Sequence, residues 1–532
     1  MNSTLGYFDG EWYNSTIHIT PGKPLNATER HAFVARTMAR DELILHRNYK
    51  RYVPVKFLSR QSYKQERGLN NSNSSTTSGK RTANATRATN STYSQWNNVI
   101  WRATFIVGER QNVQAVMNRF YGGHVGGYYA PHSNNVTLVS PNGTVAGLSP
   151  STLAHELTHA MQDQYYNISQ EKYQGRTQDS QLAAEGLLEG QANYVKAVYH
   201  HECQSGQWSC ISQQASSTSS QSSASSSASG SNQGSQQSAS HPHQTNYGVE
   251  WVLYFPYAMG PHYISTLVNQ RGWQAVYHRF QNPPKTSATI IAGRPVPPAT
   301  INVSLPTGSH WQRYQGVGVN GTDRPGEATI YSMLWWQTYH HHARLIPPQN
   351  IINKNGGPFD HYDYLSPPSA GWTGGKIVPF HSQANASRRG FVWATTWRTH
   401  TNATQFRTAY KLILKAHNAT KTGPSTWTVP ASDAYAGTYR LTTNGTTDTI
   451  VSAPSPQALT ELSPSVTVHA AQTPTNTTTS TATSHTATST TTATHTNSSS
   501  PTTSSSSPGF GIAVALAAFT LVAGLIALSR RS

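Results

Sequence analysis

The sequence His155-Glu156-Leu157-Thr158-His159 is followed thirty positions later (189 − 159) by Glu189, in Glu189-Gly190-Gln191-Ala192. Histidines at i and i+4 lie one turn apart on the same face of a helix. Two imidazoles and one carboxylate form the donor set that holds a catalytic zinc and leaves its fourth position to water. The pattern therefore predicts Zn2+ held by His155, His159 and Glu189. It also predicts Glu156, beside that water, as general base. Glu185, one turn before Glu189, is the rival third ligand. Glu189 is favoured because Gly190 and Ala192 after it would let two helices approach around a metal.

Elements that could position these groups are visible nearby. Ser149-Pro150 reads as an N-cap followed by proline at the first helical position. Leu153, Leu157, Ala160 and Met161 repeat at helical spacing, and the histidines fall off that stripe, toward a cleft. A second helix is expected through Gln181 to Glu189. Ahead of the first, residues 126–131 and Asn135 to Val139 alternate as a strand does. Such a strand is either an edge that pairs with an extended peptide substrate or an ordinary sheet edge. Further helices are expected over Glu29 to His46, through His262 to Val268 and over Ala328 to Ala343. A strand is expected over Tyr52 to Leu58, and a strand and a helix within Gln95 to Met117. His340, His341 and His342 cannot share one helix face, and read as exposed polar residues.

The chain has 532 residues, enough for two or three packed units. Lys and Arg number 39 against 22 Asp and Glu, a formal +17, yet charged residues make up only 11%. The basic excess forms no stripe, which argues against nucleic acid as a partner. It suits either acidic surface polymers or a low-pH medium. The two cysteines, Cys203 and Cys210, lie seven apart (210 − 203). A local disulfide is expected, with a second metal site using His200 or His201 as the alternative.

The chain divides into seven stretches. Residues 1–64 are a small mixed segment, 65–93 a loose Asn/Ser/Thr-rich loop, and 94–210 the zinc-binding region. Residues 211–246, almost wholly Ser, Gln and Ala, read as a disordered insertion. Residues 247–454 are expected to be mainly helical, and 455–507 form a Ser/Thr-rich stalk. Residues 508–532 hold Pro508-Gly509-Phe510, an apolar run from Gly511 to Leu528, and Arg530-Arg531. That run is the short end of membrane-spanning length, and the arginines after it place the bulk of the chain outside the cell. Asn-x-Ser/Thr triplets, from Asn2 and Asn14 to Asn444 and Asn476, agree with export. No signal peptide is visible after Met1, so an upstream start or another export route is expected.

Together these stretches resemble zinc-peptidase-like surface proteins of haloarchaea and their bacterial relatives, which carry HELTHALQDQ-type motifs. Here the motif runs from His155 to Gln164. A second block matches Asp179-Ser180-Gln181-Leu182-Ala183 through Glu189-Gly190-Gln191-Ala192, and later blocks include Phe255 to Gly260, Gly371-Trp372 and Trp393 to Trp397. The resemblance implies a gluzincin, thermolysin-like metallopeptidase fold with the ligands already chosen. The Pro-Gly-Phe tail resembles the sorting signal of archaeal surface proteins processed by an archaeosortase, which implies a lipid anchor; a plain single-span anchor is the alternative. Gln191 stands where the family has aspartate, and Gly375 where an aspartate is expected, which touches any acidic partner orienting a histidine. Asn193, one turn past Glu189, is the candidate for that role.

The expected fold is α+β: a mixed sheet-and-helix half carrying the HExxH helix, then a mainly helical half, with the cleft between. The expected function is a membrane-anchored extracellular zinc metallopeptidase acting on protein or peptide. The alternative is a non-catalytic cell-surface structural or binding glycoprotein that keeps the fold. Tyr257, His262 and Tyr263 are candidates to stabilise the oxyanion.

Overall fold

The computed structural model describes residues 4–18, 25–66, 91–117, 125–141, 150–211, 245–304, 310–462 and 467–470. The loop and insertion expected at 65–93 and 211–246 fall largely outside the described residues. So do most of the stalk, the Pro-Gly-Phe motif, the Gly511 to Leu528 span and the basic tail; the start of the expected stalk is instead part of the fold, a helix over Pro456–Leu462 and a strand over Thr467–Ala470. Among the described residues no helix is long and apolar enough to cross a membrane.

The first half is mixed. A short hairpin, β1 (Tyr7–Phe8) and β2 (Glu11–Trp12), leads to helix α1 (Ala27–Leu45). Asn26 caps α1 by accepting from the Glu29 N–H, while the Glu29 carboxylate accepts from the Asn26 N–H. Then come β3 (Val55–Ser59), α2 (Arg60–Glu66), α3 (Thr92–Ala103), β4 (Gly127–Ala130) and β5 (Asn135–Ser140). The last two precede α4 (Pro150–Tyr166) and α5 (Gln178–Gln204). The sheet order is β3-β5-β4, with β5 parallel to β3 and antiparallel to β4. Of the two strands ahead of the HExxH helix, β5 is thus internal and β4 is the edge. No strand lies within Gln95 to Met117; α3 takes the first part of that stretch. Pro150 opens α4, and its expected cap Ser149 lies outside the described residues.

Helix α6 (Tyr247–Gln281) breaks at Gly272, whose φ of 69° is left-handed. After α7 (Ser287–Ala292) come β6 (Ile301–Ser304), β7 (Trp311–Arg313) and α8 (Glu327–His341). Up to this point the expectation of a mainly helical second half holds. Beyond it the expectation fails. Strands β8 (Trp372–Ser382), β9 (Arg389–Trp397), β10 (Thr420–Gly423), β11 (Thr426–Val429), β12 (Gly437–Asn444) and β13 (Thr447–Ala453) join β7 in one antiparallel sheet. Its order is β10-β11-β12-β13-β9-β8-β7. Helix α9 (His400–Ala416) packs on β9 and β13, α10 (Pro456–Leu462) packs on β12 and β13, and β14 (Thr467–Ala470) pairs with β6.

Successive residues of this sheet belong to opposite cores. Ile377, Phe391, Trp393 and Ile450 join the large core that includes α3, α4, α5, α6 and α8. Val378, Val392, Ala394 and Val451 join a second core with α10. A sheet covered on both faces reads as a nearly continuous apolar run. The fold is α+β, as expected. The expected disulfide joins Cys203 to Cys210. Arg40 of α1 holds that loop: it donates to Ser209 O (2.9 Å) and lies over the Trp208 ring.

Candidate metal centre

Helix α4 packs against α5, α1, β4 and β5. His155, Glu156, His159 and Glu189 are all buried, each at most 1% exposed. His155 Nε2 lies 3.2 Å from His159 Nε2, and Glu189 Oε2 lies 3.2 Å from His155 Nε2 and 3.5 Å from His159 Nε2. Tetrahedral zinc with bonds of about 2.0–2.2 Å spaces its ligands by roughly 3.3–3.6 Å. The three donors therefore already stand at the corners of such a face.

Neither oxygen of Glu189 receives a hydrogen bond of good geometry. A buried carboxylate without donors costs several kcal/mol, and a cation at the centre of the three atoms removes that cost. Protonation states agree with a metal. Burial holds His155 neutral by lowering its pKa to about 4. Burial works against the Glu189 charge, but His159 and His155 outweigh it and keep that carboxyl ionised down to about pH 2.

The second ring nitrogen of His159 has a fixed partner. Gln162 Nε2 donates to Leu188 O (2.9 Å) and to Gln191 Oε1 (3.0 Å). That leaves Gln162 Oε1 to accept from His159 Nδ1–H at 2.9 Å. A neutral His159 protonated at Nδ1 carries its lone pair on Nε2, toward Glu189. Gln191 thus acts on His159 through Gln162. Asn193 does not fill this role, and its buried Nδ2 has no hydrogen-bond partner.

Glu185, the rival ligand, accepts from Gln181 Nε2 of its own helix at 2.8 Å. Burial raises its carboxyl to about 7. The small residue after Glu189 does permit a close approach, but of a different helix. A Cβ on Gly190 would stand 2.7 Å from the backbone of Gly260 in α6. The N-terminus of α5 is anchored by Asp179, which accepts from Ser287 N (2.8 Å), Ser287 Oγ (2.6 Å) and Arg324 Nε (3.2 Å).

The edge strand β4 passes over Glu156: a Cβ on Gly127 would lie 3.0 Å from Glu156 Cγ and 3.1 Å from Oε1. Tyr128 of β4 belongs to a small cluster with Tyr63, Tyr254 and Tyr257. Of the other oxyanion candidates, only His262 has a side-chain partner, and the buried Tyr263 hydroxyl has none. His262 pairs with Asp360 at 3.3 Å, and Tyr263 is buried, at 1% exposure. Sequence reasoning singled out the position of Gln191 but missed Gln162. The available signal was Gln162 standing three residues after His159, on its face of α4. The histidine run also differs from expectation. His340 packs on Trp336 (4.4 Å) and His341 on His417 (4.3 Å), both half-buried, and only His342 is exposed.

One family description, Domain of unknown function (DUF8575), matches residues 312–463. That stretch spans most of the seven-stranded sheet and contains none of the metal-centre residues. No curated protein matches the chain, and no solved structure matches it.

Proposed function

We propose that this chain is a zinc metallopeptidase of gluzincin, thermolysin-like type, attached to the outer cell surface by its C-terminus. The observation that carries the reading is the buried His155–His159–Glu189 triangle, with Glu156 beside it in the same helix and an edge strand above it. Zinc bound there supplies Lewis acidity, which lowers the pKa of water and polarises a carbonyl. His155 and Glu189 present a neutral imidazole and a carboxylate to the ion. Gln162 holds His159 in the tautomer that offers Nε2. Glu156 takes the proton of the attacking water as its oxygen bonds to the carbonyl carbon and the π pair moves onto the carbonyl oxygen. When the C–N bond breaks, Glu156 delivers that proton to the leaving amine. As the edge of its sheet among the described residues, β4 offers backbone groups to an extended peptide.

The purified full chain should contain stoichiometric zinc and hydrolyse an unfolded protein. A chelator should abolish turnover, and zinc should restore it. A chain that binds zinc tightly but hydrolyses nothing would favour the non-catalytic surface-glycoprotein alternative. Mass spectrometry of the native protein tests the location: N-glycans, and a mature C-terminus near Pro508, are expected. An unmodified protein recovered from the cytosol refutes surface attachment.

A further inference from the structure

Glu189 shares its face of α5 with a cation. Residues seven apart on a helix differ by roughly 20° in direction and roughly 10 Å along the axis. Lys196 therefore stands two turns beyond Glu189 on the same side. Helical side chains lean toward the N-terminus, so its four-carbon stem carries the ammonium back toward the metal centre. Lys196 is half-buried, and its charge acts on Glu156, Glu189 and His155 together. Of the candidates taken from sequence, His262 is tied to Asp360.

We propose that Lys196 is a catalytic residue that meets the negative charge developing on the carbonyl oxygen of the bound peptide. The proposal rests on the peptidase reading and deepens it. As water adds to the carbonyl carbon, Glu156 takes its proton and the π pair becomes an oxyanion in a site that already holds the Glu189 carboxylate, which repels it. A fixed cation in a site of low dielectric offsets that repulsion, and it gains most when the charge is fully developed. Its effect should therefore fall on kcat and spare KM.

The test uses the zinc-loaded full chain, with Lys196→Met and Lys196→Arg. Methionine keeps much of the stem without charge; arginine keeps the charge. On a fluorogenic peptide, Lys196→Met should lower kcat ~10²–10³-fold, the range for losing an oxyanion donor, with KM nearly unchanged. Lys196→Arg should recover at least about tenfold of that loss. Calorimetric affinity for a phosphinic tripeptide, which mimics the tetrahedral oxyanion, should fall in parallel with kcat/KM. Zinc affinity by chelator competition should be unchanged or tighter, since a neighbouring positive charge is removed.

Wild-type kcat in Lys196→Met, or phosphinate affinity that does not follow kcat/KM, overturns the proposal and leaves the peptidase reading standing. Loss of zinc or of thermal stability in Lys196→Met that Lys196→Arg restores, with kcat per zinc-loaded molecule unchanged, makes Lys196 structural and also overturns it. A zinc-loaded wild type without turnover removes the peptidase reading itself.

Discussion

Replacing Gln162 by leucine separates the metal centre from its support without touching a ligand. Leucine is close to glutamine in size but makes none of its three hydrogen bonds. Those are the acceptance from His159 Nδ1 at 2.9 Å and the donations to Leu188 O at 2.9 Å and Gln191 Oε1 at 3.0 Å. With them goes the constraint that keeps the lone pair of His159 on Nε2. Removing such a partner typically weakens metal binding 10–100-fold, which is about 1.4–2.7 kcal/mol. The variant also leaves polar atoms unpaired inside the protein, because Gln162 and Gln191 are only 2% and 3% exposed. Each orphaned group costs about 1–3 kcal/mol of stability. Competition with a chromophoric chelator measures the first effect, and thermal unfolding of the metal-free protein measures the second. A folded Gln162→Leu protein with wild-type zinc affinity would show that His159 needs no partner, and the assigned tautomer would then lose its basis.

Glu156→Gln should keep zinc and fold and lose ~10²–10⁴-fold in turnover, because an amide cannot accept the proton; undiminished kcat would point to another base. Gly190→Ala should cost at least about 1–3 kcal/mol, since its Cβ would meet the Gly260 backbone at 2.7 Å, and unfolding by urea reads this directly. Glu327 is buried, and burial, helped by Asp179 and opposed by Arg398, raises its pKa to about 8. The native state then keeps a proton that the unfolded chain releases near pH 4.5, so stability should fall as pH rises between these values, by roughly 2–3 kcal/mol from pH 5 to 7. Glu327→Gln should flatten that slope in denaturant titrations at several pH values, and an unchanged slope would assign it to other groups.

The meeting of His155, His159 and Glu189 was legible because its information is local. The i, i+4 histidines and the α5 glutamate need only helical geometry to be placed, and Cys203 and Cys210 are too close in sequence to pair by any route but a small loop. The support of the centre was less legible. Whether Gln162 or Asn193 faces a histidine depends on the angle at which α4 crosses α5, which no periodicity encodes. The glycines illustrate the same limit. Gly190 was correctly read as a point of close approach, but its neighbour is Gly260, seventy residues on (260 − 190), and not the HExxH helix. The seven-stranded sheet was missed for a different reason. Phe391, Val392, Trp393 and Ala394 are all buried, alternately into two cores, so the period of two that betrays a half-exposed strand is absent.

The electrostatics of the centre and of the scaffold together define a working range. Metal binding needs Glu189 ionised and His155 neutral. Their pKa values, about 2 and about 4, meet that need through most of the acid range. The scaffold buries carboxyls that prefer to be protonated: Asp323 at about 6, Glu185 at about 7 and Glu327 at about 8, each raised first by burial. For such groups stability is greatest below the unfolded-state pKa and declines as pH rises from there to the folded value. The two sets overlap between about pH 4.5 and 6, where the ligands are ready and the buried acids are still largely neutral. The composition leans the same way: with 22 acidic residues against 39 basic ones, few surface carboxylates are available to be lost on acidification.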